Sequence, residues 1–188
     1  ARLRSTDTRQ GGSCHGMSDY LSRKPNFSGV ELGGVSGTAV TNLTWDAIKR
    51  LRDKVKVKLV LKGILTSEDA KLAAEAAIDA IVVSNHGGRV EDGVSATITA
   101  LPEIVEAVGG RMPVLVDSGF RRGSDIVKAL AMGAQAVLIG RPHLWGLGAF
   151  GQPGVERVLA ILRADLRNAM QQLGAPAITD LTPAMAAL

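Results

Sequence analysis

The chain has 188 residues, 46% of them hydrophobic and 21% charged, and carries a formal net charge of +4. That length and apolar content fill one sizeable core and exclude a disordered polyelectrolyte. The positive charge is mild, with no basic block or interleaved aromatics, which argues against nucleic-acid binding and suits the handling of small anions.

The elements follow in chain order. Residues 1–42 are rich in Gly, Ser and polar residues (Gly11-Gly12-Ser13, Gly33-Gly34-Val35-Ser36-Gly37) and lack periodicity, so a flexible loop segment is expected there. It holds the one cysteine, Cys14, which rules out an internal disulfide and fits a reducing, cytoplasmic compartment. Cys14 has no partner at metal-ligand spacing, and no metal site is expected. The chain opens on Ala1 without an initiator Met or a secretory signal, and a fragment of a longer protein is expected. No apolar run is long enough to span a membrane.

From residue 43 the pattern becomes regular. Thr44 to Lys54 predicts a short helix with Trp45, Ile48 and Leu51 on one face. The predicted strands are Val57–Leu61, Ala80–Ser84, Pro113–Asp117 and Ala136–Ile139, with helices at Ser67–Ala77, Leu101–Val108 and Ser124–Met132 between them. A long amphipathic helix, Val155 to Leu173, closes the pattern, and Gly174 is its stop. Continuous Val/Ile/Leu strands alternating with helices predict βαβ units and a buried parallel sheet. One such unit occurs twice, because a shift of 56 residues superposes Gly63 on Gly119, Asp69 on Asp125 and Ala80 on Ala136. Such repetition fits a barrel or a doubly wound sheet. Lys62, His86, Asp117 and Arg141 all fall at carboxyl ends of strands, which favours a TIM (β/α)8 barrel, whose sites lie on that face. Four strands are half of one. A whole barrel needs about 250 residues, so the other half must come from another segment or chain.

Two groups of residues carry chemistry. Ser84-Asn85-His86-Gly87-Gly88-Arg89 places a proton acceptor, two glycines and a guanidinium on one loop. Base, space and anion clamp together suit an active site rather than packing. Asp117-Ser118-Gly119-Phe120-Arg121-Arg122-Gly123 and Gly140-Arg141 follow the last two strands, where glycine-opened turns before helices present backbone N–H groups to a phosphate. Taken singly, Lys62 is a strand-end cation and Arg4 a solvated arginine; only the motif context gives either a role.

These motifs, with Leu61-Lys62-Gly63 and Gly140-Arg141-Pro142, in this order and spacing, resemble the C-terminal half of the FMN-dependent 2-hydroxy acid oxidases and dehydrogenases. The likeness runs from Leu43 to about Leu173. Asp117 to Leu130 resembles the mandelate dehydrogenase branch most, with Ser118 where the commoner residue is glycine. Arg4-Ser5-Thr6-Asp7 is a shorter match to the family's Arg-x-x-Asp.

The resemblance implies residues 43–188 as half of an FMN-binding α/β barrel with a C-terminal helix, oxidising an (S)-2-hydroxy acid, mandelate-like by preference. It implies His86 as base and Arg89 with Arg4 as carboxylate clamp. It places Lys62 and Ser84 on the flavin ring, and Asp117, Gly119, Arg121, Gly140 and Arg141 on the ribityl phosphate. It implies an N-terminal half-barrel partner, oxygen or a quinone as electron acceptor, and a homotetramer. The relatives' membrane-binding segment would fall at Gly11 to Thr41, where this composition does not support insertion. Two other readings stand beside it. One is a phosphate-binding barrel enzyme without flavin; the other is a non-catalytic half-barrel that docks through its sheet edges.

Overall fold

The computed structural model describes residues 44–186; the expected loop segment, and with it Arg4, lies outside them. The element order begins with α1 (Trp45–Lys54), β1 (Val60–Ile64), α2 (Ser67–Glu75) and β2 (Ala80–Val83). It continues with α3 (Thr97–Val108), β3 (Val114–Val116), α4 (Gly123–Ala131), β4 (Ala136–Val137) and α5 (Arg141–Gln172). The four strands form one sheet in the order β1-β2-β3-β4, every pair parallel. Helices that return the chain between parallel neighbours are what the alternating pattern predicts.

Burial explains the apolar runs of the central strands β2 and β3, whereas the edge strands β1 and β4 are exposed over much of their length. All four residues of β2 are buried, and Ile81, Val83 and Val116 are wholly inaccessible. Leu101, Ile104 and Val108 of α3 pack in the same cluster, as do Ala70 and Ala73 of α2. Ile48 brings α1 into it, and the Trp45 indole N–H donates to Asp69 Oδ1 at 3.2 Å.

The repeat is structural. Helices α2 and α4 begin at Ser67 and Gly123 and end at Glu75 and Ala131, 56 residues apart at both ends. Each exits through a left-handed residue, Ala77 (φ 52°) and Gly133 (φ 100°). The next amide then returns to the helix in the same way, Ile78 N–H to Ala73 O and Ala134 N–H to Ala129 O, both at 3.1 Å.

Three elements start three or more residues from the sequence expectation. Strand β1 starts at Val60 rather than Val57. The preceding backbone is engaged elsewhere, since Arg52 donates to Val57 O and Leu59 N–H donates to the Asp79 carboxylate. Ladder pairing therefore opens at Val60 opposite Ala80. Helix α3 starts at Thr97, four residues before Leu101, with Pro102 inside it. Its first turn is held from outside, because the buried Thr97 hydroxyl donates to Asp117 O at 2.6 Å.

The largest difference is α5, which begins fourteen residues before the expected Val155 and folds back at Phe150 and Gly151. Gly151 (φ 62°, ψ −144°) takes a conformation closed to other residues. The two arms then cross at Gly146 and Gly154, where a Cβ on Gly154 would lie 1.9 Å from Gly146 O. The first arm was illegible because its large apolar residues, Leu144, Trp145, Leu147 and Phe150, are exposed and trace no buried stripe.

Asp79 joins three of these elements, accepting from Arg52 of α1, from Lys58 and from Leu59 N–H just ahead of β1. Hydrogen bonds from Lys58, Leu59 and Arg52 hold its carboxyl well below the usual carboxylate range. A depressed carboxylate contributes stability at neutral pH and loses it as the pH falls below the ordinary value. Asp79→Asn is therefore expected to lower Tm at pH 7. The gap to the parent should close as the pH falls below about 4, as thermal unfolding followed by circular dichroism at both pH values would show.

Candidate active site

Polar residues from within β1 and from just past β2 and β3 touch. Lys62 Nζ, from β1, donates to Ser84 Oγ at 2.7 Å and pairs with Asp117 Oδ2 at 2.8 Å. Ser84, just past β2, is almost fully buried, and its hydroxyl also accepts from His86 N–H at 3.1 Å. Asp117 follows β3. Burial pushes its carboxyl up, but hydrogen bonds from Lys62, Ser84 and Ser118 outweigh that and hold it below the usual range. It stands as a carboxylate, paired to the lysine.

The local backbone explains how these side chains meet. The register of β1 slips between Lys62 and Ile64, so that Gly63 (φ 108°) forms a bulge that re-aims Lys62. The His86 imidazole lies against this bulge, and a Cβ on Gly63 would sit 3.4 Å from His86 Cε1. His86 opens a single 3₁₀ turn, His86–Gly88, with a left-handed backbone of its own (φ 56°). Asn85 caps the turn by accepting from Gly87 N–H at 3.0 Å, and Arg141 Nη2 donates to Gly87 O at 2.9 Å. Arg89 follows, exposed.

A cavity of about 510 Å³ opens over this constellation. Lys62, His86, Arg89 and Asp117 line one part, and Gly119, Arg121, Gly140 and Arg141 line the rest. Ser84 lies beside it, bonded to Lys62. The nine site residues expected within the described part of the chain are thus gathered in one place.

The anion end is built differently from expectation. The turn before α4 does not present its amides outward. Arg121 N–H and Arg122 N–H both donate to Asp125 Oδ2 at 2.9 Å, and Gly123 N–H donates to Asp165 Oδ2 at 2.6 Å. The openings lie at Gly119 and Gly140, where an added Cβ would meet nothing within 4 Å. Gly140 precedes α5 without any side-chain cap, and Arg141 is the first residue of that helix. The Arg121 guanidinium lies 4.9 Å from the centre of the Trp145 ring, which fixes its direction.

Sequence reasoning missed several participants. Asn85 and Ser118 bond the turn, Trp145 supports Arg121, and Val90, Phe120, Leu138 and Leu144 form apolar wall. A serine beside a glycine after Asp117 was the available signal for Ser118. Among the described residues no group of three or more His, Cys, Asp or Glu could hold a metal, and no helix is long and apolar enough to cross a membrane.

Four parallel βα units with a polar site at the strand carboxyl ends define half of a TIM barrel. The chain belongs to the FMN-dependent dehydrogenase family, whose sequence model matches residues 6–188. It is 55% identical to the L-lactate oxidase of Nostoc sp. over 139 residues, covering 74% of this chain and 38% of that protein. It is 54% identical to the pre-mycofactocin synthase of Mycolicibacterium smegmatis over 140 residues, 74% of this chain and 35% of that one. Among solved structures, it resembles a soluble mutant of the membrane-associated (S)-mandelate dehydrogenase from Pseudomonas putida. There the TM-score is 0.78 and the identity 44%, over 85% of this chain and 48% of that one. The chain spans less than half the length of these relatives.

FMN fits what is present. The phosphate requires cations and open backbone, and Arg121, Arg141, Gly119 and Gly140 supply both. The ring requires a cation at its pyrimidine edge, and Lys62 is held at the cavity by a neighbouring carboxylate.

Lys62→Met removes the largest of the interactions that depress Asp117 and leaves burial unopposed by a cation. The Asp117 carboxyl is expected to titrate at a higher pH in this variant. Carbon-13 NMR titration of the labelled carboxyl in parent and variant measures the shift, and no upward movement would deny the pair its electrostatic role.

Proposed function

We propose that the full-length protein oxidises a small (S)-2-hydroxy acid to the 2-oxo acid, using FMN. The observation that carries this reading is the single cavity in which a histidine, an arginine, a carboxylate-held lysine and an anion cradle meet. When bound, FMN supplies the two-electron acceptor; the residues do the rest. Arg89, with Arg4 from the segment outside the described residues, holds the substrate carboxylate. His86, seated on the Gly63 bulge, takes the proton that leaves as the α-carbon is oxidised. Lys62 offsets negative charge on the ring, and Asp117 keeps it in place. Arg121, Gly119, Gly140 and Arg141 hold the phosphate, and Ser84 supports the ring edge through Lys62.

The apolar walls at Val90, Phe120, Leu138 and Leu144 favour a substrate with an apolar side chain, as in mandelate. Oxygen or a quinone reoxidises the flavin. The remaining half of the barrel comes from a further segment or chain, and the assembly is a homotetramer in the cytoplasm. The family match removes the support for a phosphate-binding barrel enzyme without flavin. The similarity to a pre-mycofactocin synthase favours a second reading, the same FMN site acting on a different substrate.

Purified full-length protein should show yellow flavin bands, and stopped-flow mixing with mandelate, lactate and glycolate should bleach them fastest for the true substrate. Failure of all three to reduce bound flavin favours the second reading, and a folded protein that binds no flavin refutes the first. His86→Gln is expected to slow flavin reduction by about 10²–10⁴-fold while flavin stays bound. Reduction at the parent rate would remove His86 from the role of base.

A further inference from the structure

We propose that Ser118 is a positioning residue of this site, whose hydroxyl ties the loop bearing His86 and Arg89 to the end of β3. Its catalytic consequence rests on the flavin reading; the tether itself does not.

Three observations converge. First, Ser118 has φ 76°, one of three non-glycine residues with positive φ among those described. A glycine would adopt this conformation without strain, so the side chain is held there against its backbone preference. Second, its hydroxyl makes two bonds that no apolar side chain could replace. It accepts from Gly87 N–H at 3.0 Å and donates to Asp117 Oδ1 at 2.7 Å. The single hydroxyl proton goes to the carboxylate, which leaves the oxygen to accept from the loop. Third, the pattern is shared with the neighbouring strand. Ser84 Oγ accepts from His86 N–H and from Lys62 Nζ. Two consecutive loop amides, His86 and Gly87, are therefore gripped by two hydroxyls, and both hydroxyls rest on the Lys62–Asp117 pair. Both Asp117 oxygens are engaged, Oδ1 by Ser118 and Oδ2 by Lys62.

The bonds form a closed circuit through the ends of β1, β2 and β3. If the Ser118 hydroxyl is lost, Gly87 N–H still has Asn85 Oδ1, so the turn survives. What goes is the direct link from Gly87 to the end of β3, leaving only the path through Ser84. His86 and Arg89 then lose part of their fixed placement relative to Lys62, and the chemical step suffers more than flavin binding.

Two variants of the full-length enzyme separate this role from a merely structural one. Ser118→Gly removes the hydroxyl and relieves the backbone; Ser118→Ala removes the hydroxyl and keeps the strain. Ser118→Gly is expected to unfold at or above the parent Tm and Ser118→Ala below it. Both should nevertheless slow flavin reduction by about tenfold at unchanged flavin content, the loss of roughly one well-placed hydrogen bond. Amide hydrogen exchange in the peptide spanning His86 to Arg89 should quicken in both. A structural role would instead make activity follow Tm, with Ser118→Gly as active as the parent; that result, or unchanged exchange, overturns the proposal. If the parent itself binds no flavin, the flavin reading has failed, and exchange alone then decides the tether.

Discussion

The ion pair of Lys62 with Asp117 spans the ends of β1 and β3, with the Ser84 hydroxyl from β2 between them. Measured by stability alone it is a minor feature, because Lys62 is 44% exposed and such pairs contribute about 0–1 kcal/mol. Its importance is geometric. Asp117 is mostly hidden, and a hidden carboxylate stays ionised only with charge and donors around it. Lys62, Ser84 and Ser118 supply them, and each thereby fixes its own position. The same hydroxyls receive the His86 and Gly87 amides. A small electrostatic requirement at one carboxylate thus sets the placement of the whole loop.

That placement is strained where it is most useful. His86 and Ser118 both hold left-handed backbones, each at a cost of about 1–3 kcal/mol. In the strands that lead to them, Ile81, Val83 and Val116 are wholly buried and cluster with residues of α2 and α3. The rigid sheet offsets the strain above it, and the division between a stable lower layer and a constrained rim is what barrel enzymes use. Gly63 contributes from the opposite side: its positive φ makes the bulge against which the imidazole rests.

Legibility in the sequence followed the range of the interaction involved. Strand β2, helix α2 and helix α4 were readable within two residues, since apolar runs, caps and the 56-residue repeat are local signals. His86, Asp117 and Arg141 were readable because they follow strands, and Lys62 because it closes the apolar run 57–61, although β1 continues to Ile64. Strand β1 was misplaced because Arg52 draws off Val57 O, five residues away, and Asp79 draws off Leu59 N–H, twenty residues away. The first arm of α5 was invisible because its apolar residues face outward. Ser118 was noticed only as a departure from glycine, since its two bonds reach one residue next door and one thirty-one positions away.

Helix termini provide the last step. Both α4 and α5 begin at the rim of the cavity, and a helix N-terminus draws an anion through its dipole and its unsatisfied amides. At α4 those amides are already bonded to Asp125 and Asp165, the latter delivered by the second arm of α5. A phosphate there would meet two carboxylates. At α5 the cap is a glycine without a side chain, Arg141 is the first residue, and Arg121 is steered by Trp145 one turn on. Under the proposed function, like-charge repulsion at one terminus and two guanidinium groups beside the other would direct the phosphate to the start of α5. The fold in α5 is what makes both possible, since one arm offers the open terminus while the other closes the terminus of α4.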